Sequence, residues 1–257
     1  MGAAPRAVEP VRGLRDLPAI GLDELNESAA LQDRVDVKYI VTLVQLEALL
    51  ERIAPTYRAL EIDGRRAFAY HTTYYDTDDL LMFREHVQRR RRRFKCRKRR
   101  YLDSGHSLFE VKLKGTRGRT IKHAMACSPF DELTADEIAF LHLNLRQAYG
   151  RELRESLRPV LTASCRRLTI AAPDLGQRLT CDIELDFGGG RLADGLAIVE
   201  SKSARGRAAI DRVLVAIGAR PVNGCSKYLL GTALARGGVR DNDLRPLLRR
   251  YFTTAPS

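Results

Sequence analysis

Residues 89–122 read RRRRRFKCRKRRYLDSGHSLFEVKLKGTRGRTIK, and ten of the chain's 44 lysines and arginines lie between Arg89 and Arg100. The plainest reading of such a run is a solvated patch for nucleic acid or nuclear import. Its internal order argues for something else. In a strand, alternate residues share a face. Arg93, Lys95, Arg97 and Arg99 then lie on one face, with Phe94 and Cys96 on the other. After a turn at Asp103-Ser104-Gly105, SLFEVKLK puts Glu110, Lys112 and Lys114 on one face and Phe109, Val111 and Leu113 on the other. Two strands joined by a short polar turn make a hairpin. Its charged surface cannot be an ordinary barrel interior, because unpaired buried charge is too costly. That surface either faces solvent or lines a wet channel that takes an anion.

The rest of the chain bounds the choice. Its 257 residues suffice for one large domain or two small ones. A hydrophobic content of 44% and a charged content of 30% fit a globular protein with a real core. The net charge of +12 favours polyanionic partners. No apolar run is long enough to span a bilayer, and MGAAPRAVEPVRGL at the start lacks the apolar centre of a signal peptide. Cys96, Cys127, Cys165, Cys181 and Cys225 form no CxxC pair, which favours reduced thiols and a cytoplasmic location.

Residues 1–28, rich in Ala, Pro, Gly and charge, read as a flexible tail with a short helix near Leu22–Ser28. One domain is expected over 29–257. DRVDVKYIV is a strand with Arg34, Asp36 and Lys38 on one face. Thr42 caps a helix that Pro55 stops. AFAYHTTYY is a strand, and Leu80–Glu85 a helical turn. GRTIKHAM is strand-like and carries Lys122. A helix then follows, with Thr134 and Glu137 as its capping box and Gly150 as its end. A second short helix is expected over Glu152–Ser156. VLTASCRRLTIA, QRLTCDIELDF and LAIVESKS are strands, and three helices fill the C-terminal part.

At least four strands therefore have one charged and one apolar face. An open sheet would leave an exposed edge. The fold expected is α+β: a closed antiparallel eight-stranded β-tunnel with a charged lumen and helices packed outside. Its inward list is Arg34, Asp36, Lys38, Arg93, Lys95, Arg97, Arg99, Glu110, Lys112, Lys114, Arg178, Asp182, Glu184, Glu200 and Lys202. Many cations with a few carboxylates suit a polyphosphate complexed with a divalent metal.

These residues resemble the VTC domain, the polyphosphate polymerase domain of the CYTH/triphosphate tunnel superfamily. The matching stretches are RVDVKY (34–39), YHTTYYDT (70–77), RFKCRKRRY (93–101), FEVKLK (109–114), RTIK (119–122), RPVLTASCRR (158–167), RLTCDIEL (178–185), IVESK (198–202) and CSKYLLG (225–231). They fall in order across residues 33–232. The resemblance implies a metal-dependent phosphotransferase that moves the γ-phosphate of ATP to inorganic polyphosphate, using Mn²⁺ or Mg²⁺. It implies no specific nucleic-acid partner. Lys38, Arg97, Arg99 and Lys112 would be catalytic, with Lys38 stabilising the transferring phosphoryl group. Lys122, Arg167, Arg178, Ser226 and Lys227 would grip phosphates, with Arg34, Lys95, Lys114 and Lys202 of the inward set beside them. Glu200 would hold the metal, and Glu110, Asp182 and Glu184 are further candidates. The sequence departs from the pattern at Cys165, where a Tyr is common, and at Asp36, where many superfamily members carry a metal-binding Glu.

Competing readings are a tunnel triphosphatase with water as acceptor and a non-enzymatic polyanion binder. Loss of Lys38 or Arg97 is expected to cut turnover with little loss of stability, because like charges in the lumen repel one another.

Overall fold

The computed structural model describes residues 11–28, 35–115, 120–204, 208–236, 239 and 241–254. Within them lie seven α-helices and a twelve-stranded sheet, antiparallel except for one short pair. Eight strands are long: β2 (Val35–Thr42), β4 (Ala67–Asp76), β5 (Phe94–Tyr101), β6 (Ser107–Lys114), β7 (Thr120–Ala126), β8 (Arg158–Ala172), β9 (Gln177–Asp186) and β11 (Leu196–Ser203). Four are only two or three residues: β1 (Ala19–Ile20), β3 (Arg58–Leu60), β10 (Gly190–Leu192) and β12 (Phe252–Thr254). The expectation of eight strands thus becomes eight plus four. The short ones escape sequence reading because three residues show no alternation. Among the described residues the long hydrogen-bonded path runs from β12 to β7 without returning on itself.

The chain divides into two compact units. The first comprises 1–68, 167–183 and 195–222; the second comprises 69–166, 184–194 and 223–257.

In the first unit, β11 lies between β2 and the start of β9, and β3 pairs the end of β8. The apolar faces of these strands supply Tyr39, Val41, Leu168, Ile170, Leu179, Cys181 and Val199 to one core. Helix α2 (Leu43–Ile53) closes over it with Leu46, Leu49, Leu50 and Ile53. The helix starts where expected: the Thr42 hydroxyl accepts from Gln45 N, and the Gln45 side chain accepts from Thr42 N.

Residues 11–28 correct the expected flexible tail. Val11, Leu14 and Leu17 are buried in that same core, β1 pairs β3, and Arg66 donates to the carbonyls of Leu14 (2.8 Å) and Leu17 (2.7 Å). The apolar spacing was diluted by Pro and Gly, so periodicity did not report it. Helix α1 (Leu22–Ser28) forms as expected, and residues 1–10 lie outside the described residues.

The second unit holds β5, β6, β7, β10 and β12, nearly all of β4, the first part of β8 and the last residues of β9. The β5–β6 hairpin turns through Gly105 at φ 72°, a left-handed angle that glycine adopts without strain. Helix α3 (Leu81–Val87) follows β4, and α4 (Ala135–Tyr149) carries the expected Thr134–Glu137 capping box. The helix expected over Glu152–Ser156 does not form. Leu153 is the only apolar residue there, so a helix would have no face to bury. The C-terminal helices are α5 (Ala209–Ala216), which belongs to the first unit, and α6 (Lys227–Ala235) and α7 (Arg245–Tyr251), which belong to the second. No helix among the described residues is long and apolar enough to cross a membrane.

Helix α6 packs at Gly231. A Cβ there would stand 2.6 Å from both Leu161 Cδ2 and Phe187 Cδ1. Gly231→Ala is therefore expected to lose about 1–3 kcal/mol through overpacking, despite the better helix propensity of alanine. Urea unfolding checks this; an unchanged or raised midpoint would show that the contact is not tight.

Candidate functional site

The second unit builds its charged face on β5, β6 and β7. Register places Lys95, Lys112 and Lys122 side by side on three neighbouring strands. One step along, Tyr74, Arg97, Glu110 and Ala124 form the next row. Strands sit about 5 Å apart. The ammonium groups diverge from this row: Lys122 Nζ bonds Glu110 and Lys95 Nζ bonds the Ser226 hydroxyl.

Glu110 anchors this face. It is 1% exposed. Arg97 Nε reaches Oε2 at 2.6 Å, Lys122 Nζ reaches Oε1 at 3.1 Å, and an Arg99 guanidinium nitrogen lies 3.9 Å from Oε2. Burial alone would raise its pKa. The Arg97, Arg99, Lys122 and Lys112 cations outweigh burial and hold it well below the usual carboxylate range. Burial likewise acts against the charge on Arg97, and Glu110 and Tyr74 more than offset it, so Arg97 stays firmly protonated. Arg97 also donates to Tyr74 Oη at 3.2 Å. Arg99 lies over the Tyr70 ring at 5.5 Å, and its buried Nε has no hydrogen-bond partner.

Ser226 caps the position where α6 begins, and Lys95 Nζ donates to its hydroxyl at 3.2 Å. This brings Ser226 beside Lys95. Lys227 instead turns to Cys165, with Nζ 3.4 Å from Sγ. Lys114 is half-buried on β6 opposite Thr120. Tyr228, next to Lys227 in α6, is buried and donates to Asp76. Asp76 is fully buried and also accepts from Thr77 N, Met82 N and Phe83 N, so one carboxylate caps α3 and ties α6 to it. Sequence reading missed Lys98, which points from the apolar face of β5. It is 2% exposed and satisfied by the Phe130 and Glu132 carbonyls and by Glu137 at 3.0 Å.

The first unit has a second charged face, on β2, β11, β9 and the end of β8. Lys38 stands opposite Glu200, and Glu200 opposite Thr180. Asp36 stands opposite Lys202, and Lys202 opposite Arg178. Lys202 Nζ donates to Thr180 Oγ1 at 3.0 Å and lies 3.5 Å from Glu200 Oε2. Arg167 grips Asp182 with two bonds, at 2.6 and 2.8 Å. Beneath this face, buried Asp211 accepts from Tyr39 Oη (3.0 Å) and Ser201 Oγ (2.5 Å). Burial, then Asp211, raises the Tyr39 pKa, so its proton stays in place. Arg34 lies outside the described residues.

The candidate metal ligands divide. Both oxygens of Glu110 are held by cations, and both oxygens of Asp182 by Arg167. Glu184 does not continue the inward face of β9: it is exposed, at φ 53°, and only loosely paired with Arg166 at 3.8 Å. The left-handed residue interrupts the alternation that sequence reading assumed. Glu200, 22% exposed at its side chain, is the best placed of the four. No group of three or more His, Cys, Asp or Glu suited to a metal occurs among the described residues. That donor set fits a divalent ion held by one carboxylate and completed by phosphate oxygens, the manner in which Mg²⁺ is commonly bound.

The buried pairing of Arg97 argues against the expectation that its loss costs little stability. Arg97→Ala is expected to lose about 3 kcal/mol or more, because it strips a buried carboxylate of its main partner. Lys112→Met removes the weakest of the cations acting on Glu110 and should cost less than Arg97→Ala. Equal losses in urea unfolding would contradict the anchor.

His86 supplies a pH prediction. Burial, then the Lys95 charge, lowers its pKa to about 3. Its Nδ1 lies 2.8 Å from the Met82 carbonyl, and its ring packs edge-on against Tyr228. The unfolded chain, with a histidine pKa near 6.5, binds more protons across that interval, so stability must rise with pH from about 3 to 6.5. The melting temperature should fall between pH 7.5 and 5, and His86→Phe should reduce the fall; an identical fall in the variant would contradict this reading.

Comparison with known proteins places these features. Residues 33–236 match the family model described as the VTC domain. No curated protein matches the chain. Among solved structures, a Hippeastrum protein, named as an adenylyl cyclase with a dominant triphosphatase activity, is 13% identical. It aligns over 77% of this chain and 94% of its own at a TM-score of 0.50. A Vibrio parahaemolyticus protein, named as an adenylate cyclase, is 13% identical over 77% of this chain and 98% of its own, at a TM-score of 0.47.

Proposed function

The chain belongs to the VTC domain family, and on that footing we propose that it is a cytoplasmic polyphosphate polymerase. It would transfer the γ-phosphoryl group of ATP to inorganic polyphosphate. The observation that carries the reading is the row Lys95–Lys112–Lys122 with Ser226 at its end. The register brings three lysine positions together on neighbouring strands, and a chain of phosphoryl groups is a ligand that would meet all three. Closure of the eight long strands into the tunnel implied by the resemblance is part of this proposal.

The terminal oxygen of the polyphosphate attacks the γ-phosphorus of ATP. The bond from that phosphorus to the β,γ-bridging oxygen breaks, and ADP leaves with the electron pair. One new P–O–P linkage forms, and the chain grows by one phosphate. Phosphoryl transfer needs positioning and charge neutralisation, with no protein nucleophile. Lys95, Lys112 and Lys122 neutralise phosphoryl oxygens, with Arg99 beside them. Arg97 acts chiefly by fixing Glu110. Lys38, Lys202 and Arg178 offer the corresponding cations of the first unit, with Arg167 held on Asp182 beside them, and Lys38 is the residue assigned to the transferring group. Lys114, Lys227 and Arg34 complete the phosphate-binding set. Glu200 would hold a divalent ion, Mn²⁺ or Mg²⁺, which when bound withdraws negative charge from phosphoryl oxygens.

A tunnel triphosphatase is the second reading. The activity named for the Hippeastrum neighbour is what favours it, and the product separates the two. Purified protein with ATP and Mn²⁺ should yield polymer resolvable on a gel; orthophosphate as sole product would overturn the polymerase. Lys38→Ala should lower the rate about 100-fold, the scale of losing one charge-stabilising donor, while the protein remains folded. Glu200→Gln should weaken the stimulation by metal. Full activity in Lys38→Ala would remove Lys38 from the mechanism.

A further inference from the structure

The arginine run ahead of β5 is not absorbed by the charged face. Arg89–Arg92 precede the strand and follow α3. The chain leaves α3 through Arg89 in the left-handed conformation (φ 54°), with Arg90 N bonded to the Glu85 carbonyl at 2.9 Å. Glycine ordinarily fills that position of a helix-ending turn. The turn borders a cavity of about 580 Å³ lined by Arg84, Arg90, Arg91, Arg92 and Arg151, with Glu85 as its one carboxylate among the described residues.

Arg151 forms a fixed floor. It bonds both oxygens of Glu85 (3.0 and 3.1 Å) and the Arg92 carbonyl (3.2 Å). Its guanidinium lies over the rings of Phe94 (5.5 Å) and Tyr149 (5.7 Å). Arg92 is steadied by the Tyr149 carbonyl (3.3 Å), Arg90 by Gln88 (2.9 Å) and Arg84 by Asp79 (2.6 Å). The forks are thus positioned while Arg90 and Arg91 remain exposed. Planar guanidinium groups suit paired phosphoryl oxygens.

We propose that this arginine pocket is a second anion site, separate from the β5–β6–β7 face, that grips consecutive phosphoryl groups of an inorganic polyphosphate. A single-stranded nucleic acid would need aromatic faces for its bases. No aromatic residue lines the cavity, and the two rings nearest Arg151 are covered by its own guanidinium. The inference needs only an anion of several linked phosphates and stands apart from the polymerase reading.

The test is calorimetric titration of the full chain with inorganic tripolyphosphate, without nucleotide or metal. The wild type should show two classes of site. Arg90→Glu/Arg91→Glu should lose one, with that affinity falling about tenfold or more, the cost of a lost charge-assisted contact. Lys112→Met should keep that class and weaken the other. Arg91→Gln, a milder change at an exposed position, should weaken the same class if the double variant folds poorly. Two unchanged classes in the arginine variants would overturn the proposal. So would tighter binding, sensitive to those variants, of a single-stranded oligonucleotide of equal charge. Polymer synthesis is assayed separately, so failure here leaves that reading untouched.

Discussion

The second unit depends on one buried carboxylate. Glu110 sits in a sheet whose strands bring arginine and lysine to it, and its charge is tolerable only because Arg97 and Lys122 bond its two oxygens. That arrangement fixes the guanidinium of Arg97 and, through register, the lysine row beside it. Glu110 cannot neutralise every cation around it. Arg97, Arg99 and Lys122 stand around this one carboxylate, so the cluster is rich in cations at fixed positions. Rigid anchoring with incomplete neutralisation is what a preorganised phosphate site requires.

The first unit solves the same problem with other residues. Arg167 and Asp182 pair through two bonds and leave neither group open. Lys202 is shared between Thr180 and Glu200, and Glu200 retains exposure. Asp211 lies below, its carboxylate occupied by Tyr39 and Ser201. Of the acidic candidates this leaves Glu200 with the geometry to meet a metal–phosphate complex. Carboxylates that looked alike in sequence thus divide: Glu110 and Asp182 are held by cations through both oxygens, Glu200 keeps partial exposure beside Lys202, and Glu184 turns outward.

Alternation exposed the long strands because each has one apolar face, and capping residues marked α2 and α4 because Thr42 and Thr134 bond backbone that would otherwise lack partners. What stayed hidden has physical reasons. Strands of two or three residues carry no period. Lys98 looked like one more basic residue, yet backbone carbonyls and Glu137 satisfy it inside the apolar face. The break at Glu184 is a backbone angle that no side-chain pattern announces. The core role of Val11, Leu14 and Leu17 was masked by their Pro- and Gly-rich surroundings. The row of Lys95, Lys112 and Lys122 was legible as a shared face, whereas its pairing order needed the register.

The most direct test of the claim that excess fixed cations await a phosphate chain is the urea midpoint of the wild type and of Lys95→Met/Lys112→Met, each with and without inorganic tripolyphosphate. Binding to the folded state alone raises stability by mass action. The account predicts a clear gain for the wild type, and for the double variant an unliganded stability at least as high with a much smaller gain. An equal ligand-induced gain in both proteins would show that the lysine row does not bind phosphate and would contradict the account.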